Sequence, residues 1–104
     1  MISINDMRKL LKETGLPVAY RCFPENKAPD LPYICYLTPY SNNFAADGQV
    51  YYKKDHMQVE LYCRKKDVEL EEKVEQALSS FFWEKEENYI DSEKCYQITY
   101  AMEV

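Results

Sequence analysis

The sequence predicts an α+β domain: a mostly antiparallel sheet of four to five strands with two helices packed on one face, in the order α-β-β-β-α-β(-β). Three observations predict it. Two amphipathic segments carry helix punctuation, the stretches between and after them alternate in the manner of strands, and tyrosine is abundant where they alternate. A chain of 104 residues buries one core but hardly two, so residues 1–104 read as a single domain. Hydrophobic content of 46% with only two glycines and no low-complexity tract is a globular composition.

The first helix is placed by its ends. Ser3 is the predicted N-cap, Asp6 lies in the positive first turn, and Gly15-Leu16-Pro17 supplies a left-handed stop followed by a residue that cannot continue. Between them Ile4, Met7, Leu10 and Leu11 repeat at helical spacing, with Arg8, Lys9 and Lys12 opposite. A strand follows at 17–23, where Val18, Tyr20 and Cys22 alternate with Ala19, Arg21 and Phe23. Residues 24–32 hold three prolines and no periodicity, which makes them a connector. The second strand runs from Tyr33 to Tyr40, and Pro39 predicts that its end leaves the sheet.

Ser41 to Gly48, passing Asp47-Gly48, is expected to be a loop, and Gln49 to Cys63 a long third strand. Met57, Val59, Leu61 and Cys63 face one way on that strand, and His56, Gln58, Glu60 and Tyr62 the other. The hairpin of the second and third strands is longer than so small a domain needs. The second helix opens at Asp67 and carries Leu70, Val74, Ala77, Leu78 and Phe81 on one face, with Glu69, Glu71 and Glu72 complementing its dipole. Its charge run is expected to be solvated. The last strand sets Tyr96, Ile98, Tyr100, Met102 and Val104 against Cys95, Gln97, Thr99, Ala101 and Glu103, and a shorter strand near Trp83 to Tyr89 pairs with it.

Charge excludes one class of partner. Of the net −5, residues 1–40 carry five basic and four acidic side chains, and residues 41–104 carry eight and fourteen. Such a surface repels phosphate backbones, so specific nucleic-acid binding is not expected. Cysteines 22, 35, 63 and 95 form no CxxC pair and lie in apolar or aromatic segments, so they read as buried, reduced thiols, with no metal site. The opening MISINDMRKLLKE lacks the apolar run of a signal peptide and no stretch is long enough to span a membrane, which implies cytoplasmic synthesis.

No catalytic pattern emerges. His56 is the one histidine and has no evident nucleophile beside it, which makes it a surface histidine by expectation. Asp55 and Glu60 fall on opposite strand faces, and isolated Gly15 and Gly48 cannot cradle a phosphate. The reading is therefore of no enzyme and no cofactor. Ten tyrosines suit protein interfaces, where a large ring with a polar tip serves both dry and wet contacts.

The stretches "LPVAYRCF", "APDLPYICY", "SNNFAADGQVYYKKDHMQVELY", "RKKDVELEEKVEQAL" and "SEKCYQITYAMEV" resemble small tail proteins of long-tailed phages and prophages of Gram-positive bacteria, most closely the tail-terminator, or tail-to-head joining, group. The resemblance covers almost the whole chain. It implies a tail-terminator-like fold and a ring, hexameric when assembled, that caps the head-proximal end of the tail tube. The implied partners are further copies of the chain, the tail tube protein and the head-tail connector protein. The implied location is the bacterial host cytoplasm during assembly and then the virion tail. The segment expected to meet a neighbouring subunit or the tube includes Tyr40, Asn42, Asn43, Phe44, Tyr51 and Tyr52. A head-tail connector or tail-completion protein is the neighbouring alternative, and a non-virion adaptor that binds peptides by strand addition is another.

Overall fold

The structure, a computed structural model, describes residues 2–46 and 48–104, and the side chains of these except at 44–46 and 50–52. The elements in order are α1 (Ile4–Lys12), β1 (Val18–Tyr20), β2 (Tyr33–Ser41), β3 (Phe44–Ala46), β4 (Gln49–Tyr52), β5 (Asp55–Cys63), α2 (Val68–Ala77), β6 (Trp83–Ile90) and β7 (Cys95–Glu103). Five strands form the main sheet in the order β1-β2-β5-β7-β6, and β3 and β4 form a separate two-stranded ribbon.

The predicted punctuation holds at both helices. Ser3 Oγ accepts from the Asp6 amide at 3.0 Å, and the Asp67 carboxylate accepts from the Leu70 amide at 3.1 Å. Beyond α1, Gly15 takes φ +82° and turns the chain toward β1. Met7 and Leu11 of α1 and Val74 and Leu78 of α2 are buried in one cluster with Ile34, Tyr36, Val59, Leu61, Ile98 and Tyr100. Both helices therefore lie on one face of the sheet, and the other face carries no helix.

Several expectations need correction. The sheet is mixed, because β1 pairs with β2 in parallel while the remaining three pairings are antiparallel. β1 stops at Tyr20 rather than running on to residue 23, since Arg21 adopts φ +68° and breaks the extended path. Cys22, just past that break, is exposed, unlike the buried Cys35, Cys63 and Cys95. Pro39 does not take β2 out of the sheet. A register shift between Leu37 and Tyr40 absorbs it, and pairing resumes at Tyr40 opposite His56 and Ser41 opposite Asp55.

The expected loop and long third strand are also divided differently. β2 and β5 extend past the core into the β3–β4 ribbon, which pairs Phe44 with Tyr52, Ala45 with Val50 and Ala46 with Gln49, and Gly48 takes φ +75° at its tip. Breaks at 42–43 and 53–54 separate ribbon from sheet. The molecule measures 48 × 28 × 23 Å, with a radius of gyration of 14.8 Å. A compact domain of this length has a radius near ~13 Å. The sheet-plus-ribbon hairpin accounts for the excess.

Candidate assembly interface

The ribbon is rooted in a polar cluster at the end of the sheet. Where the chain leaves β2, the Asn42 amide donates to the Lys54 carbonyl at 2.7 Å, and Asp55 and Val104 exchange both backbone bonds, at 3.1 and 2.9 Å. These bonds tie the two legs of the hairpin to each other and the β5 leg to the residue that follows β7. Side chains complete the joint. The Tyr40 ring lies flat on the His56 imidazole, with centroids 4.4 Å apart and planes 3° from parallel. His56 Nδ1 lies 3.2 Å from Glu103 Oε1, and Asn42 Nδ2 donates to the same oxygen at 2.7 Å. Gln58 Nε2 lies 3.3 Å from His56 Nε2. One neutral tautomer satisfies the ring at both ends, with Nδ1–H donating to Glu103 and Nε2 accepting from Gln58.

His56 is thus buried, at 9% exposure, and is not the surface histidine the sequence implies. Burial would push the Glu103 carboxyl up, but the bonds from Asn42 and His56 and the electrostatic attraction of His56 and Lys54 outweigh it and lower the group from its ordinary value.

Two of the six sequence-predicted interface residues meet here. Tyr40 stacks while keeping 53% of its surface exposed, and Asn42 grips Glu103. Asn43 is exposed in the short link to β3. Phe44, Tyr51 and Tyr52 fall on the ribbon backbone, and their side chains lie outside the described residues. His56, Gln58 and Glu103 were not anticipated. Alternation puts His56 and Glu103 on outward faces of two strands, but only the register that sets them opposite each other makes them partners.

The helix-free face of the sheet forms the flank of this joint. It presents Tyr33, Cys35 and Leu37 from β2, His56, Gln58, Glu60 and Tyr62 from β5, and Gln97, Thr99, Ala101 and Glu103 from β7, since their alternates form the core. Gln97 Nε2 donates to Tyr62 Oη at 3.0 Å and reaches Glu60 at 3.3 Å, and Tyr62 Oη donates to Glu60 at 3.2 Å. Half-burial raises the Glu60 carboxyl above its ordinary value, against the opposing bond from Tyr62. It likewise raises the Tyr62 phenol. Burial pushes the Cys35 and Cys63 thiols up to about 11, which keeps them protonated and poorly nucleophilic at neutral pH.

On the helix face, one carboxylate departs from the expected solvated charge run. Glu71 is buried, at 2% exposure, because two lysines converge on it. Lys66 Nζ lies 2.7 Å from one oxygen and Lys85 Nζ 3.1 Å from the other. Lys66 also reaches Glu87 at 2.6 Å and Lys85 reaches Glu75 at 2.8 Å, so the network rivets α2 to β6. Tyr100, inside the core, donates its hydroxyl to Glu75 at 2.8 Å.

The sheet ends in two free edges, three-residue β1 and eight-residue β6. Glu84, Lys85, Glu86 and Glu87 line β6, a charge density that discourages indiscriminate strand pairing. Among the described residues, no group of three or more His, Cys, Asp or Glu side chains is arranged to hold a metal ion, and no helix is long and apolar enough to cross a membrane. No protein-family model matches the sequence, and no curated protein matches it significantly.

Proposed function

We propose that the chain is a structural phage or prophage tail protein that caps the head-proximal end of the tail tube as a ring and joins it to the head. The ribbon is the observation that carries this reading. A chain with one small core extends two strands beyond it, and β3 and β4 pair with each other as a sheet separate from the five-stranded one. An arm of that kind contributes little to its own domain and offers backbone and side chains to something outside it. The root cluster holds the arm in a set direction, which a ring contact requires. The sequence resemblance supplies the setting, a tail-terminator-like fold whose partners are further copies of the chain, the tube protein and the head-tail connector. Assembly takes place in the host cytoplasm and the product resides in the virion tail. The role requires no chemistry.

Deleting the gene from an inducible prophage and imaging the lysate by electron microscopy tests the reading. Tubes of uncontrolled length beside filled, tailless heads are the expected result. Tails of normal length with heads that leak or fail to join would move the chain to the connector, and wholly normal particles would contradict a virion role. A second reading rests on the eight-residue free edge of β6, which suits an adaptor that binds a peptide by strand addition. Such an adaptor would be missing from purified particles analysed by mass spectrometry.

A further inference from the structure

The helix-free face is acidic along β6, and on the other side of the molecule α1 carries a basic stripe beside the acidic α2. On the helix-free side, Glu86 stands across from Thr99 and Thr99 across from Glu60, Glu84 stands across from Ala101, and Glu103 stands across from His56. The neighbouring β6 residues Lys85 and Glu87 turn to the helix side, where they bond α2 and Lys66, so Glu84 and Glu86 point away from the helices. The carboxylates that β5, β6 and β7 contribute to this face are therefore those of Glu60, Glu84, Glu86 and Glu103, the last hydrogen-bonded to His56. Between them lie the half-buried surfaces of Thr99, Ala101 and Tyr62.

On the opposite side, α1 turns Arg8, Lys9 and Lys12 to solvent. Among the described residues none of the three pairs with a carboxylate of its own chain, whereas Lys66 and Lys85 are each held by two. Arg8 and Lys12 are one turn apart, a rise of about 6 Å. Glu84 and Glu86 are two strand residues apart, about 6.7 Å. A helix laid along the strands can therefore match both cations to both carboxylates. A sheet with one bare face is also the surface on which a further helix layer ordinarily packs.

We infer that the helix-free face of one copy receives the basic side of α1 from a second copy. The inference rests on the ring reading and names the contact that would build the ring. Donor and acceptor lie on opposite sides of the molecule, so the contact is head-to-tail, the kind that builds a ring where the rotation between copies closes and a filament where it does not. Charge sets its register and its sensitivity to salt, while the tyrosine, threonine and alanine surfaces supply buried area.

Analytical ultracentrifugation of the full chain tests this with two variants, Glu84→Lys with Glu86→Lys, and Arg8→Glu with Lys12→Glu. All four positions are exposed, and circular dichroism verifies that each variant is folded. Wild-type chain is expected to associate, less so at high salt. Each variant alone should associate roughly tenfold or more weakly, because like charges then meet. An equimolar mixture should regain association, since each variant's altered surface complements the other's. Wild-type chain that stays monomeric up to millimolar concentration, variants that associate like wild type, or a mixture that fails to recover would each overturn the inference. Its failure is distinguishable from failure of the tail role. Variants that still form normal tail ends would remove this contact alone, whereas normal particles after gene deletion would remove the role and leave the mass measurements standing.

Discussion

Glu71 shows how far one side chain can depart from the reading its sequence invites. In "DVELEEKVEQAL" it looks like a first-turn acid that serves the helix dipole, and it does lie in the first turn. It also shares an i, i+3, i+7 spacing with Val74 and Leu78, which sends it toward the sheet. The signal was present in the periodicity, but the two lysines that make burial tolerable come from the loop before α2 and from β6, which no local pattern connects. Burial alone would raise its carboxyl, yet the bonds and charges of Lys66 and Lys85 outweigh that and lower it below the ordinary 4.5. A carboxyl depressed on folding stabilises the native state above its unfolded value and loses that contribution as pH falls through its folded value. Glu71→Gln is therefore expected to lower stability at neutral pH by about 1 kcal/mol, toward the low end because both lysines reach solvent. The deficit should shrink as pH drops below the carboxylate range. Urea unfolding of both proteins at neutral and acidic pH measures it, and a deficit that stays constant would contradict the assignment. His56 was illegible for a related reason: its stacking and bonding partners come from β2 and β7, 16 and 47 positions away.

Element by element, what the sequence conveyed was mostly what local physics controls. Both N-caps, the glycine stop after α1, the inward alternation of β5 and β7 and the pairing of β6 with β7 follow from residues close together in the chain. Asp67→Ala, which removes the side chain that accepts from the Leu70 amide, should cost about 1 kcal/mol. For a domain of this size that is a fall of roughly 4–8 °C in Tm, readable by calorimetry. A smaller effect on Tm would show that the rivet between α2 and β6, rather than the cap, fixes where the helix starts. The errors cluster where tertiary pairing overrides a local rule. Proline usually ends a strand's pairing, but at Pro39 a bulge lets β2 rejoin β5 within one residue. The polar stretch from Ser41 to Gly48 looked like a loop because β3 spans only three residues, Phe44–Ala46, too few for an alternation to be read. Parallel pairing of β1 was equally hidden, since direction depends on the path of residues 21–32 and not on the composition of the strand.

At the scale of the whole molecule, the shape is better understood as a body with an arm. The body satisfies itself: two helices cover one face of a five-stranded sheet, and a single cluster fills the space between. The arm, the bare face and the free β6 edge lie outside this packing, and the sequence anticipated a projecting hairpin, a sheet with both helices on one face and an edge open to strand addition. The acidic character of the bare face was not legible because its carboxylates, at 60, 84, 86 and 103, are scattered over three strands and become one surface only in the folded register. The central claim is that the chain stops tube growth through its ribbon, and adding purified chain to tube protein polymerising in vitro tests it most directly. Electron microscopy of tube lengths is expected to show arrest, with one ring at one end of each tube. A variant lacking residues 44–52, with the body still folded, should leave growth unrestrained. Tubes that grow to the same lengths with wild-type chain as without it would contradict the account.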